Sequence, residues 1–169
     1  MSATQRDLVV IAIGGNSLIS ARDKKSVTDQ YDAICATVAH IADVIESGRR
    51  VVITHGNGPQ VGFILLRSEI ARKSNGLHSV PLVSCVADTQ GAIGWEIQQA
   101  LTNELAARKH QGRVVSLVTQ VRVNADDPGF TNPDKFVGEF YDAEDLPALR
   151  EQNPQWELKE DPGRGWRRV

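Results

Sequence analysis

The chain has 169 residues and a formal net charge of −2. That is long enough for one domain burying ~70% of its unfolded surface, and it offers no excess of positive charge for nucleic acid or an anionic membrane surface. Its longest apolar runs are strand-length, so no membrane span is expected; Met1 to Asp7 is polar and lacks a signal-peptide core.

Taken in chain order, Leu8–Ile13 reads as a fully buried strand of the kind found in parallel sheets. Residues 30–47 read as a helix, with Ile34, Val38, Ile41 and Ile45 on one face and Gly48 as its stop. Residues 50–54 form the next strand. Pro59 suits the first turn of a helix capped near Asn57 or Gly58, running to about Lys73 with Val61 and Leu65 inward. Ser74-Asn75-Gly76 signals a loop over 74–82. A long helix follows from Ala87 to His110, with Ile93, Ile97, Leu101 and Leu105 as its stripe and Gly112 as its end. Gly91 and Gly94, near its start, are explained better by close backbone approach than by helix propensity. Val114–Val123 reads as a third strand. This order predicts an α/β fold, a mainly parallel sheet with right-handed crossovers and helices on both faces.

From Asn124 the character changes to turns mixed with aromatics. A short helix near 142–151 and an extended piece near 156–160 make a small excursion from the main sheet. Gly163-Arg164-Gly165-Trp166-Arg167-Arg168-Val169 reads as a chain re-entering a fold. Cys35 and Cys85 match no metal or redox spacing and read as small apolar residues in a reducing cytoplasm.

The chemistry concentrates where strands end. Gly14-Gly15-Asn16 follows the first strand, and His55-Gly56-Asn57-Gly58-Pro59-Gln60 follows the second. A strand that stops at glycines and feeds a helix turns backbone N–H groups outward, an arrangement that binds anions and phosphate above all. In an open parallel sheet, ligands bind outside the carboxyl ends of the strands, so the two turns suggest one anionic site. The bland alternative is a pair of tight turns without ligand. His55 reads either as a base or donor to the ligand or as a brace for its turn. Lys135, in Asn132-Pro133-Asp134-Lys135-Phe136, reads either as a solvent-facing lysine or as a movable cation of the kind phosphoryl transfer requires. Arg164, Arg167 and Arg168 read as a solvated basic cluster or a phosphate contact. Asp126-Asp127-Pro128-Gly129 is ordinary turn chemistry, and no P-loop, protein-kinase triplet or Gly-x-Gly-x-x-Gly fingerprint occurs.

Several segments together resemble carbamate kinase, of the amino-acid kinase superfamily. They are Ala12-Ile13-Gly14-Gly15-Asn16, His55 to Gly62, Thr89-Gln90-Gly91-Ala92-Ile93-Gly94, Leu117-Val118-Thr119-Gln120-Val121, Asn132-Pro133-x-Lys135, and Lys159-Glu160-Asp161 continuing through Gly163 to Val169. The resemblance implies an open three-layer αβα sandwich. It implies reversible phosphoryl transfer between ATP and carbamate with Mg²⁺, often run toward ATP from ADP and carbamoyl phosphate, in a cytoplasmic homodimer. By position, Gly14, Gly15 and Asn16 would line the phosphoryl-transfer site, and Gly56, Asn57 and Gly58 would hold the carbamate end. Lys135 would be the catalytic cation, with His55, Gln60 and Arg164 in support and no metal ligand in this chain. The implied organisation is a carbamate- and phosphoryl-binding region over 1–123, a protruding lid-like subdomain over 124–162, and the start of a link over 163–169. Resemblance covers only the first half of the family, so the nucleotide would be held by a half absent from this chain.

Superfamily relatives often carry a lysine just before the first glycine turn; this chain has Ala12 and Ile13 there, which is consistent with the cation coming from elsewhere, from Lys135. After the lysine the family continues Pro-Ile-Gly-Pro-Phe; here Phe136-Val137-Gly138-Glu139-Phe140 adds a negative charge. A paralogue with another small carbamoyl or acyl substrate is therefore an alternative reading. So is a non-catalytic anion-binding or subunit-interaction module.

Overall fold

The computed structural model describes residues 7–14 and 26–169. These form two compact units. One comprises the described residues up to Val61 together with Val83–Thr119; the other comprises Gly62–Leu82 and Gln120–Val169. Among the described residues no helix is long and apolar enough to cross a membrane.

The first unit is built on β1 (Leu8–Ile13) and β2 (Arg50–His55), paired in parallel with Ile13 opposite His55. The crossover between them contains α1 (Val27–Glu46). Ser26 starts this helix with a reciprocal capping box: its Oγ accepts from the Asp29 N–H at 3.1 Å and its N–H donates to the Asp29 carboxylate at 3.2 Å. Gly48, at φ +87°, turns the chain out of the helix. The predicted face holds: Ile34, Val38 and Ile41 are buried and Ile45 packs against them.

After β2 come α2 (Gln60–Asn75) and α3 (Leu82–Ala107). The turn signal Ser74-Asn75-Gly76 lies at the end of α2: Gly76, at φ +67°, donates its N–H to Arg72 as a C-terminal cap. Helix α3 begins five residues ahead of expectation, directly after Pro81, a residue that suits a helix start. It also stops short of Gly112. Lys109 adopts the left-handed conformation at φ +59°, and the N–H groups of Lys109 and His110 close back on Ala106 and Leu105.

The core of this unit lies where α1 and α3 cover one face of the strand pair. Ile13, Ile34, Val38, Ile41, Ile93, Ile97, Leu101 and Leu105 form it, with Ile11, Val51 and Ile53 at its edge. Arg108 ties the two helices at the surface, donating to Asp43 at 2.6 Å, Glu46 at 2.8 Å and Glu104 at 2.8 Å. Its hydrogen bond holds the Asp43 carboxyl below the usual carboxylate range.

Three expectations are corrected. The strand at Leu8–Ile13 is not fully buried: burial alternates, with Leu8 and Val10 exposed, because among the described residues helices cover only one of its faces. Val114–Val123 is not a strand. Among the described residues it has no ladder partner, and it is held instead by side chains, Gln98 Nε2 donating to the Val114 carbonyl and the Thr119 N–H donating to Gln90 Oε1. Cys35 is exposed, while Cys85 is buried as read. Between β2 and residues 112–119 runs a groove of about 860 Å³ floored by α3.

Close backbone approach explains only one of the two α3 glycines. A Cβ on Gly94 would meet Ser116 Oγ at 2.3 Å, whereas nothing lies within 4 Å of one on Gly91. Gly91→Ala is therefore expected to raise stability by about 0.5–1 kcal/mol, the helix-interior cost of glycine. A denaturant midpoint that rises for Gly91→Ala but not for Gly94→Ala checks this.

In the second unit, β3 (Val137–Tyr141), β4 (Leu158–Asp161) and β5 (Gly165–Arg168) make an antiparallel sheet in the order β3-β5-β4. Residues 163–169 thus carry the β4–β5 turn and β5 itself, with Gly163 and Gly165 at positive φ. The short helix α4 (Leu146–Gln152) precedes β4, and Leu65, Leu146 and Leu158 are buried. Arg167 lies 4.5 Å over the Phe140 ring and donates to the Gly138 carbonyl at 2.9 Å.

Candidate functional site

The register of β1 and β2 brings the two glycine turns together. With Ile13 opposite His55, Gly14 and Gly56 leave the sheet side by side at its carboxyl end. The Gly56 N–H donates to the Ile13 carbonyl at 3.0 Å, so it extends the ladder and does not face outward. Among the described residues the N–H groups of Asn57 and Gly58 make no hydrogen bond. These two, with Gly14 beside them, are the donors the geometry leaves for an anion, just ahead of α2. Gly15 and Asn16 lie outside the described residues.

The peptide between Gly58 and Pro59 is cis, and Val61 closes onto the Asn57 carbonyl at 2.9 Å. His55 is half-buried, and its Nδ1 lies 3.1 Å from the Gly56 carbonyl. Its Nε2 sits 3.8 Å from where a Cβ on Gly94 would be, an ordinary packing distance. This contact set favours the bracing role for His55. The groove beside β2 opens onto His55, Gly56 and Asn57.

Gln60 belongs to a network that the sequence reading missed. Its side-chain amide meets that of Gln30 from α1 at 2.5 Å, and Gln30 in turn meets the carboxyl of Glu96 from α3. Glu96 is 5% exposed. The signal was present in the sequence: Glu96 falls at i+3 from Ile93 and directly before Ile97, inside the apolar stripe of α3. Burial pushes the Glu96 carboxyl up and outweighs the Gln30 contact, which acts in the opposite sense.

Lys135 and Arg164 belong to the second unit. Lys135 is exposed, two residues ahead of β3, and among the described residues forms no ion pair. Its loop is held from β4: Lys159 Nζ donates to Asn132 Oδ1 at 2.8 Å and to the Pro133 carbonyl at 2.5 Å. Lys159 is thus a positioning residue that spacing alone did not reveal. Arg164 sits in the β4–β5 turn, 3.7 Å from Asp161 and over the Phe140 ring at 5.5 Å.

The chain is similar to known proteins along nearly all of its length. The chain is 48% identical over 164 residues to the carbamate kinase-like protein YahI of Escherichia coli, covering 97% of this chain and 52% of that protein. It is 47% identical over 161 residues to the carbamate kinase of Pyrococcus furiosus, covering 95% and 51%. The structure of carbamate kinase from Giardia lamblia bound to AMP-PNP superposes with a TM-score of 0.86 at 40% identity, over 100% of this chain and 52% of that one. The chain therefore spans about half the length of the curated relatives it matches. Residues 7–135 match the amino acid kinase family, and with that match on this αβ framework the chain belongs to it.

Proposed function

We propose that this chain supplies the carbamate and phosphoryl side of a carbamate kinase-type phosphotransferase, catalysing reversible phosphoryl transfer between ATP and carbamate. The observation that carries this is the placing of Gly14 beside Gly56 at the carboxyl ends of β1 and β2, in a chain 47% identical to a carbamate kinase. The N–H groups of Asn57 and Gly58, at the head of α2, bind and orient the anionic end of carbamate or carbamoyl phosphate. Gly14, with Gly15 and Asn16, takes the transferring phosphoryl group. Lys135 supplies the positive charge that offsets the charge developing in phosphoryl transfer, from the lid-like subdomain at 124–162, and Arg164 reinforces it. ATP and ADP are substrates held by residues beyond this chain, in a homodimer.

Mg²⁺ accompanies nucleotide in such chemistry. Among the described residues no group of His, Cys, Asp or Glu is placed to hold a metal ion. No step assigned to this chain runs through one.

The test is binding and turnover in parallel. Carbamoyl phosphate is expected to shift the backbone amide resonances of Gly14, Asn57 and Gly58 in the 169-residue chain. ATP is expected to form from ADP, Mg²⁺ and carbamoyl phosphate only in a full-length version. Absence of any shift at those amides sinks the assignment of the carbamate end. A second reading, a paralogue with another small carbamoyl or acyl substrate, is favoured by the exposed Glu139 after Gly138; a substrate panel on the full-length protein decides between them.

A further inference from the structure

The Gln60 amide, as its nearest contacts first suggest, has Nε2 donating to Gln30 Oε1 and Gln30 Nε2 donating to the Glu96 carboxylate. That direction leaves Gln60 Oε1 facing the carbonyl oxygens of Asn57 and Gly58, acceptor against acceptor. With the Gln60 amide turned over, its NH₂ lies 3.2 Å from each of those carbonyls and donates to them, and its oxygen then faces Gln30 at 2.5 Å. Gln30 must turn as well, donating its NH₂ to Gln60 and presenting its oxygen to Glu96. Amide nitrogen and oxygen are told apart only by such networks. This second direction sets a donor against an acceptor at every contact of the network, and it requires a proton on Glu96.

We infer that Glu96 is held as a neutral carboxylic acid and positions the carbamate-binding turn through a relay: Glu96 O–H to Gln30, Gln30 NH₂ to Gln60, Gln60 NH₂ to the carbonyls of Asn57 and Gly58. Its surroundings fit. Glu96 is 5% exposed. Gln30 faces it from α1, and Gln60 stands behind Gln30 at the start of α2; no charged group among the described residues contributes to its titration. On the strands, Ile11, Ile13, Val51 and Ile53 face the core, and His55 is turned to Gly56. Buried carboxyls without a cation favour the protonated form.

Loss of the proton reverses the relay. Glu96 can then only accept, Gln30 donates to it, and Gln60 sets its oxygen against the two turn carbonyls. The folded pKa lies above that of the unfolded chain. The stabilisation is therefore fully present below the ordinary glutamate pKa of about 4.3 and is lost as pH rises through the folded value. Its effect on ligand binding rests on the proposed role of the turn; the relay itself does not.

Carboxyl and side-chain amide NMR of the 169-residue chain, titrated with pH, tests this. The Glu96 carboxyl is expected to titrate above an ordinary glutamate. The Gln60 NH₂ and the Asn57 and Gly58 backbone resonances should move with the same midpoint. In Glu96→Gln, whose NH₂ replaces the acid proton as donor to Gln30, that pH step should vanish and the low-pH turn signals should persist across the range. Carbamoyl phosphate affinity in the wild type should fall about tenfold through that midpoint, the effect of one hydrogen bond set against its partner, and stay flat through it in Glu96→Gln. An ordinary Glu96 titration, or turn resonances that ignore it, overturns the relay. A coupled titration with no carbamoyl phosphate binding at any pH leaves the relay standing and overturns the proposed function instead.

Discussion

Lys135→Ala in a full-length version is expected to lower kcat by about 10²–10³-fold, the loss typical when one preorganised electrostatic donor is removed from a developing charge. No lysine stands just before the first glycine turn to share this role, since Ala12 and Ile13 occupy that stretch. The substitution should leave folding intact, because Lys135 is exposed and makes no ion pair among the described residues. The position of its loop depends on Lys159, which bonds Asn132 and Pro133. Turnover should therefore collapse with an unchanged melting midpoint and little change in carbamoyl phosphate binding, since the turn at Asn57 and Gly58 is untouched. Lys135→Arg should recover part of the rate by keeping the charge while changing its reach. Near-normal turnover in Lys135→Ala would remove this lysine from the mechanism.

The helices and the two strands of the first unit were legible because periodicity reports burial directly. Ile34, Val38 and Ile41, and Ile93, Ile97, Leu101 and Leu105, recur at helical spacing, and all are in the core. Helix ends were less legible. Ser26 with Asp29 is a capping box at the start of α1, and Pro81 opens α3, but neither belongs to the apolar stripe that advertises its helix. Lys109 ends α3 in a conformation usually given to glycine, which no propensity scale singles out.

Val114–Val123 has strand-forming residues, yet a strand is defined by the neighbour it pairs with, and among the described residues it has none. Apolar content in Leu8 and Val10 likewise said strand, and said nothing about which faces would be covered. The two glycine turns were found because an apolar strand running into glycine has few other readings. The Gln30–Gln60–Glu96 network was not, because its members lie 30 and 66 residues apart along the chain and meet only where α1, α3 and the turn that leads into Gln60 come together.

The open face of the strand pair supports a comparison with a large contrast in effect. Leu101 is 2% exposed, in the α3 stripe that packs on α1 and the inward residues of β1 and β2. Leu101→Ala leaves a cavity that its neighbours cannot fully close, at an expected cost of about 2–5 kcal/mol. That is a large share of the roughly 5–15 kcal/mol that a domain has to lose. Val10 lies on the other face of β1 and is 63% exposed. Val10→Thr keeps a β-branched side chain and should change stability by no more than about 0.5 kcal/mol, as surface substitutions do. Denaturant unfolding of both variants against the parent measures the difference. A steep loss for Leu101→Ala beside a near-zero change for Val10→Thr means that the α1–α3 face alone carries the stability of this unit. Comparable losses would mean that the Leu8–Val10 face is covered in solution. Repeating the measurement across protein concentrations would then separate the two ways of covering it: a midpoint that rises with concentration marks a second copy of the chain, and one that does not marks a segment of the same chain.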